Sequence, residues 1–254
     1  MSDEERLQLP LKSYVLCSIP RTGSWLLAEG LAKTGIAGKP DEYFSAGREL
    51  HTHDGNANGP VSSFAEYVKH VYSVAATPNG VAGFKVHPEH LYYLVFRWQL
   101  LSCTRHSTFR EVLNEIFPRA CWVYSRRHDK VRQAVSWWRS IQTRQWFDIA
   151  DQETRPRTVE PEYDFDAIAT LHHRIISEEA TWFEFFAAIR EMPLVIDYED
   201  LSASYESTIA AVLRYIGLAQ DAPASLPPPR LRRQSDAISD DWVYRYRRES
   251  SGHG

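Results

Sequence analysis

The stretch that most constrains the fold is Ser13-Tyr-Val-Leu-Cys-Ser-Ile-Pro-Arg-Thr-Gly-Ser-Trp-Leu-Leu27. An apolar run, Tyr14 to Cys17, gives way to a polar turn, Ser18 to Gly23. Ser24 then opens an amphipathic run in which Trp25, Leu26, Leu27, Ala28 and Leu31 are apolar. This order reads as a buried strand, a tight loop and a helix N-terminus. Such a loop aims backbone N–H groups from the positive end of a helix dipole, which is an anion site. Thr22 and Ser24 add hydroxyl donors, Gly23 lets the backbone come close, and Arg21 adds a fixed charge with several donors. Short Gly/Ser turns also join strands to helices with no ligand at all, so the local pattern leaves both readings open. The loop is not a Walker A motif, because no Gly-Lys-Ser/Thr closes it.

Further apolar runs predict strands at Val81–Val86, Ala120–Ser125 and Leu194–Ile196. Helical patterns fall at Ser62–Ala76, 88–101, 108–116, Lys130–Trp146, Tyr163–Arg190 and Ser204–Ile216. The first of these places Phe64, Tyr67, Val68, Val71 and Tyr72 on one face. Strands alternating with helices imply a parallel sheet with helices on both faces, and ligands in such sheets sit at the carboxyl ends of the strands. The loops after strands one and three therefore share an edge. Residues 1–11 read as a polar lead-in, 45–61 as an irregular Gly/Asn/His-rich loop, 219–229 as a Pro-rich linker and 230–254 as a basic, aromatic tail docked by Trp242, Tyr244 and Tyr246. His51 and His53 supply only two metal-type ligands, so that segment reads as a polar loop with a gating role rather than a metal centre.

At 254 residues the chain suits one domain spanning 1–254. A net charge of −4 gives no reason to expect nucleic acid, so an anion site must be a local basic focus. No run approaches a membrane span, and Met-Ser-Asp-Glu-Glu-Arg is too polar for a signal peptide. Cys17, Cys103 and Cys121 are too scattered for a disulfide framework, and Cys17 and Cys121 lie in expected buried strands. Both points lead to the expectation of a cytoplasmic protein.

Five segments together carry a family resemblance: Pro20-Arg-Thr-Gly-Ser24; Gly38-Lys-Pro-Asp-Glu-Tyr-Phe44; Thr77 to Lys85; Tyr124 to Trp146 with Arg127 and Gln133-Ala-Val-Ser136; and Arg233-Gln-Ser-Asp236 followed by Asp241 to Arg247. In this order the chain resembles the bacterial trehalose 2-sulfotransferase family. That resemblance implies a P-loop-like three-layer α/β/α fold with a central parallel sheet. It also implies a homodimer, PAPS (3′-phosphoadenosine 5′-phosphosulfate) as sulfuryl donor, PAP as product, no metal, and a small-molecule hydroxyl acceptor.

Residue by residue, the resemblance assigns Arg21, Thr22, Gly23, Ser24 and Trp25 to the 5′-phosphosulfate, and Arg127, Ser136 and Arg233 to the 3′-phosphate. It makes Glu42 the general base, with Arg21 assisting the leaving group. Lys39, Pro40, Asp41, Glu42, Tyr43 and Phe44 form the acceptor stretch. Tyr43 and Phe44 are expected to desolvate Glu42 and raise its pKa, and Lys85 and His87 could reach the same edge. Where the family has Ser-Gln-Arg in the first loop, this chain has Ile19-Pro20-Arg21. Lys39 and Asp41 likewise replace a family Glu and Gln. Donor residues are thus matched and acceptor residues are not, which leaves trehalose, another sugar, a glycolipid and a small alcohol open. Two readings from other classes stand beside this one: a PAP-binding protein without catalysis, and a P-loop-type kinase.

Overall fold

The computed structural model describes residues 12–45, 64–102, 108–148, 159–231 and 236–252. The expected lead-in, most of the 45–61 loop, Cys103 and Arg233 lie outside them. The chain runs through β1 (Lys12–Cys17), α1 (Ser24–Lys33), α2 (Phe64–Ala75), β2 (Val81–Val86), α3 (Pro88–Ser102) and α4 (Phe109–Ile116). It continues through β3 (Cys121–Arg126), α5 (Lys130–Thr143), α6 (Phe165–Ile189), β4 (Leu194–Asp197), α7 (Tyr198–Ala203), α8 (Tyr205–Tyr215) and α9 (Ala237–Ser251).

The four strands form a parallel sheet in the order β2-β1-β3-β4, with Val15 opposite both Phe84 and Trp122, and Arg126 opposite Asp197. Side chains alternate across a strand, and here they feed two separate cores. Tyr14, Leu16, Val123 and Ile196 pack with Leu27 and Leu31 of α1, Leu201 of α7 and Ile209 and Leu213 of α8. Val15, Cys17, Phe84, Trp122 and Tyr124 pack with α2 to α6 and α9. The result is the three-layer α/β/α arrangement expected, and the α2 face named from the sequence is buried throughout. Cys17 is buried, whereas Cys121 is only half-buried at the start of its strand.

Three element ends differ from the sequence pattern. Arg126 belongs to β3 rather than to the turn, because its backbone is in register with Asp197 of β4, and its guanidinium pairs with that carboxylate at 2.6 Å. Helix α5 stops at Thr143 rather than Trp146: the Thr143 hydroxyl binds Arg139 O and accepts the Gln145 N–H, and Arg144 turns left-handed at φ 55°. Helix α6 starts at Phe165 and is unbroken, capped by Asp164.

The tail forms helix α9. Trp242, Val243 and Tyr246 are buried, but Tyr244 is 67% exposed and does not dock it. Helical spacing explains this, since 242, 243 and 246 share a face and 244 points away. Ion pairs Arg139–Asp236, Arg132–Asp240 and Arg247–Asp129 fix α9 to α5 and its preceding turn.

The chain leaves β1 for α1 on one face and leaves the adjacent β3 for α5 on the other. Neighbouring strands whose connections diverge this way open a crevice at their carboxyl ends.

Candidate functional site

The loop after β1 is held from several sides. Gln133 Nε2 donates to Pro20 O at 2.7 Å, Thr22 Oγ1 to Ile19 O at 3.1 Å, and Ser125 Oγ to Thr22 O at 3.2 Å. Arg21 and Gly23 both have positive φ, 67° and 76°. A Cβ at Gly23 would sit 2.5 Å from Tyr198 Cδ2, so only glycine fits. Thr22 is fully buried, and its hydroxyl serves the loop rather than lining the crevice. Arg21, Gly23, Ser24 and Trp25 do line it.

The crevice is a cavity of about 570 Å³. Arg127 and Ser136 stand on its β3 side. Arg21 Nε donates to Ser136 Oγ at 2.9 Å and Arg21 Nη1 to Trp146 O at 2.7 Å. The first loop, through Arg21, and the α5 residue Ser136 expected at the other phosphate are therefore in direct contact. Arg127 is 7% exposed, its guanidinium lies 4.6 Å from the Tyr198 ring centre, and its Nε is buried with no hydrogen-bond partner. Among the described residues no carboxylate pairs with it. Burial lowers the pKa of Arg127, and burial with the Arg127 charge lowers Arg21 to about 10. Two crowded, partly desolvated guanidinium groups favour an anion between them.

The far wall comes from the C-terminal region. Arg139 grips Asp236 through both carboxylate oxygens, at 2.6 and 2.9 Å, and Asp236 caps α9 by accepting from Ser239 N at 3.0 Å. Pro229 and Leu231 close another side. Their strap is tied to α1: Glu29 accepts from Arg230 N at 2.9 Å and Leu231 N at 3.3 Å, and Lys33 donates to Pro228 O at 2.7 Å.

A second cluster lies on the β2 side. Lys85, 1% exposed, donates to Glu42 Oε1, and His87 Nε2 lies 3.0 Å from the same oxygen. Lys85 Nζ is 4.6 Å from the ring centre of Trp25, so Trp25 stands between this cluster and the arginine cavity. The environment of Glu42 is the reverse of the expected one. Burial pushes its pKa up, but the His87 hydrogen bond and the Lys85 charge outweigh burial and hold the carboxyl well below its ordinary range. Phe44 does not reach Glu42's surroundings as a shield; it is core, 5.6 Å from Phe84 and 5.8 Å from Phe117. Tyr43 turns its hydroxyl to Lys39 O at 2.8 Å. Lys39 is exposed, Pro40 is buried, and Asp41 Oδ1 accepts from Glu42 N at 2.7 Å. A backbone bond from Lys85 N to Asp41 O lays this stretch against the outer edge of β2, and one from Lys39 N to Ala75 O ties it to the end of α2.

The family model described as Stf0 sulphotransferase matches residues 13–249. The chain belongs to that family. A trehalose 2-sulfotransferase of Mycolicibacterium smegmatis (strain ATCC 700084 / mc(2)155) is 31% identical over 267 residues, covering 95% of this chain and 97% of that protein. A trehalose 2-sulfotransferase of Mycobacterium tuberculosis (strain ATCC 35801 / TMC 107 / Erdman) is 30% identical over 266 residues, covering 94% and 96%. The protein is a sulfotransferase, and the kinase reading falls. No described helix is long and apolar enough to cross a membrane.

Sequence reasoning did not find Arg139, Asp236, Tyr198 or Trp146 as parts of this sulfotransferase's site. Asp236 carried a usable signal, an acidic residue just before a helical pattern, which is a helix cap and so a fixed carboxylate. Tyr198 carried another, as the first residue after the fourth strand.

Proposed function

We propose that this sulfotransferase moves a sulfuryl group from PAPS to a hydroxyl of a carbohydrate-like small molecule, trehalose being the first acceptor to try, with Glu42 as general base. The observation that carries the reading is Arg127, a buried guanidinium with no carboxylate partner among the described residues, lining a cavity that Arg21 and Ser136 also line. Gly23 supports it, because a side chain there would fill the space against Tyr198.

The donor supplies an activated sulfuryl group on a phosphate leaving group. Arg21 and the N–H groups that open α1 stabilise charge as it gathers on the leaving oxygen. Arg127, Ser136 and Arg233 hold the second phosphate. Glu42 takes the acceptor's proton as its oxygen attacks sulfur in line. Lys85 keeps Glu42 ionised and fixed, and Trp25 divides the nucleotide side from the acceptor side.

The test is transfer of labelled sulfate from PAPS to trehalose and then to other sugars. Glu42→Gln should lower kcat by about 10²–10⁴-fold, the usual worth of a general base, with PAP affinity unchanged. A well-folded wild type that binds neither PAPS nor PAP at micromolar concentration would sink the reading.

A further inference from the structure

His87 sits at the carboxyl end of β2 with both ring nitrogens engaged. Nδ1 is 2.8 Å from the Ser18 carbonyl oxygen, which also accepts the Trp182 indole N–H at 3.1 Å. A carbonyl only accepts, so Nδ1 carries a proton. Nε2 is then either a lone pair or a second N–H. It lies 3.0 Å from Glu42 Oε1. A lone pair facing a carboxylate oxygen at that distance is repulsive, so the contact calls for one proton between the two atoms.

Among the other groups around the ring, Lys85 Nζ also lies within hydrogen-bond reach of Nε2, at 3.5 Å, but Glu42 Oε1 is the nearer partner and Lys85 makes its shorter contact to that same oxygen. His90, on α3, has its ring 5.2 Å away, and its Nδ1 faces the His87 backbone N–H at 3.4 Å as an acceptor. Burial and the His87 charge lower His90 to about 4. Glu89 on the same helix lies beside His90, and Glu178 on α6, within electrostatic reach, is bonded to Arg174 at 2.6 Å.

We propose that Glu42 and His87 form one acid–base unit holding a single shared proton, His87 being the positioning residue that receives the proton Glu42 removes from the acceptor. This rests on the reading of Glu42 as general base. In the competent form the shared proton is absent. The acceptor O–H bond breaks, its proton goes to the Glu42 carboxylate, and the acceptor oxygen bonds to sulfur. The bond from sulfur to the donor's phosphate oxygen breaks, its electron pair leaving with the phosphate. The proton then passes from Glu42 Oε1 to His87 Nε2, and the imidazolium releases it to water. The Ser18 carbonyl matters because it fixes the tautomer that leaves Nε2 open to Glu42.

Imidazole ¹⁵N spectra of the free protein test the pairing without any acceptor. His87 is identified by the signals lost in His87→Gln, or in His87→Phe should the first variant not fold. Nδ1 should carry a proton in every spectrum, and Glu42→Gln should move the Nε2 signal, because the atom it faces can then no longer share a proton. An identical Nε2 signal in both proteins, or a neutral His87 with its proton on Nε2, overturns the proposal. With PAPS and trehalose, the acid limb of kcat/KM should move to lower pH in His87→Gln while PAP affinity is unchanged. A uniformly lower rate with an unmoved limb also overturns it. Failure of wild type to bind PAP, or full kcat in Glu42→Gln, would instead overturn the underlying reading, and neither would alter the imidazole spectra.

Discussion

Arg127→Met separates a binding arginine from a structural one. The guanidinium is 7% exposed, rests on the Tyr198 ring and leaves Nε unbonded. Without ligand, its charge is buried at a cost that the nearby Glu199 and Asp129 carboxylates offset only in part, so a methionine that keeps the stem's packing should leave the free protein about as stable. Against PAP the same change removes charged hydrogen bonds worth about 1.5–3 kcal/mol each, and a loss of about 2.7 kcal/mol is a hundredfold in Kd. The two effects are read in one thermal-shift series. At a PAP concentration of about 100 Kd the wild type gains about 2.7 kcal/mol, whereas a variant a hundredfold weaker gains about 0.4 kcal/mol. For a chain near this size, about 2–4 °C per kcal/mol turns these into rises of about 5–10 °C and about 1 °C. A free Arg127→Met that melts several degrees early would refute the reasoning, because the arginine would then be holding the fold together. So would equal rises with PAP.

Gly23→Ala should destabilise in urea by clearly more than Gly35→Ala. Both glycines have positive φ, costing about 1–2 kcal/mol for a side chain, but a Cβ at Gly23 would also sit 2.5 Å from the Tyr198 ring, while a Cβ at Gly35 would meet nothing within 4 Å. Trp242→Ala should cost about 3–5 kcal/mol and Tyr244→Ser less than about 0.5 kcal/mol in the same assay, since one ring is 6% and the other 67% exposed. Asp236 has its pKa lowered to about 2: burial raises it, but the Arg139 and Ser239 bonds win. A depressed carboxylate stabilises fully above its unfolded value, so its contribution should fade between about pH 4 and pH 2, and Asp236→Asn should flatten the acid side of a Tm-against-pH curve in that window.

The sheet and its helices were legible because β1, β2 and β3 are built on short, mostly apolar runs and α2 has a one-sided stripe, which are the patterns burial imposes. Arg21 and Ser136 were legible as a pair only through matched order, since 115 residues separate them. The end of α5 was not legible: Thr143 takes part in its own local hydrogen bonds, and helical periodicity carries no trace of that competition. Glu42 was picked, but its surroundings were misjudged from its neighbours Tyr43 and Phe44. The groups that set its charge, Lys85 and His87, are 43 and 45 residues away and arrive with β2. The Arg139–Asp236 wall, 97 residues apart, depends on how α9 docks, and no local pattern encodes that.

One geometric fact links these cases. Each strand of a parallel sheet delivers its next few residues to the same edge, so four segments distant in sequence meet there. The loop with Gly23 follows β1, Lys85 and His87 end β2, Arg127 follows β3 and Tyr198 follows β4. The order β2-β1-β3-β4 then decides which groups share a side. With β1 in the middle, its loop touches both neighbours: Arg21 reaches toward Ser136 on the β3 side, and Trp25 lies under Lys85 on the β2 side. In the proposed reaction the nucleotide and the base therefore approach from opposite flanks of one loop. In that proposal sulfur changes partners where the loop turns into α1, which among the described residues adjoins both the arginines and the Glu42 cluster. A sheet ordered with β1 at its edge would carry the same residues and could not bring the two clusters to a common boundary.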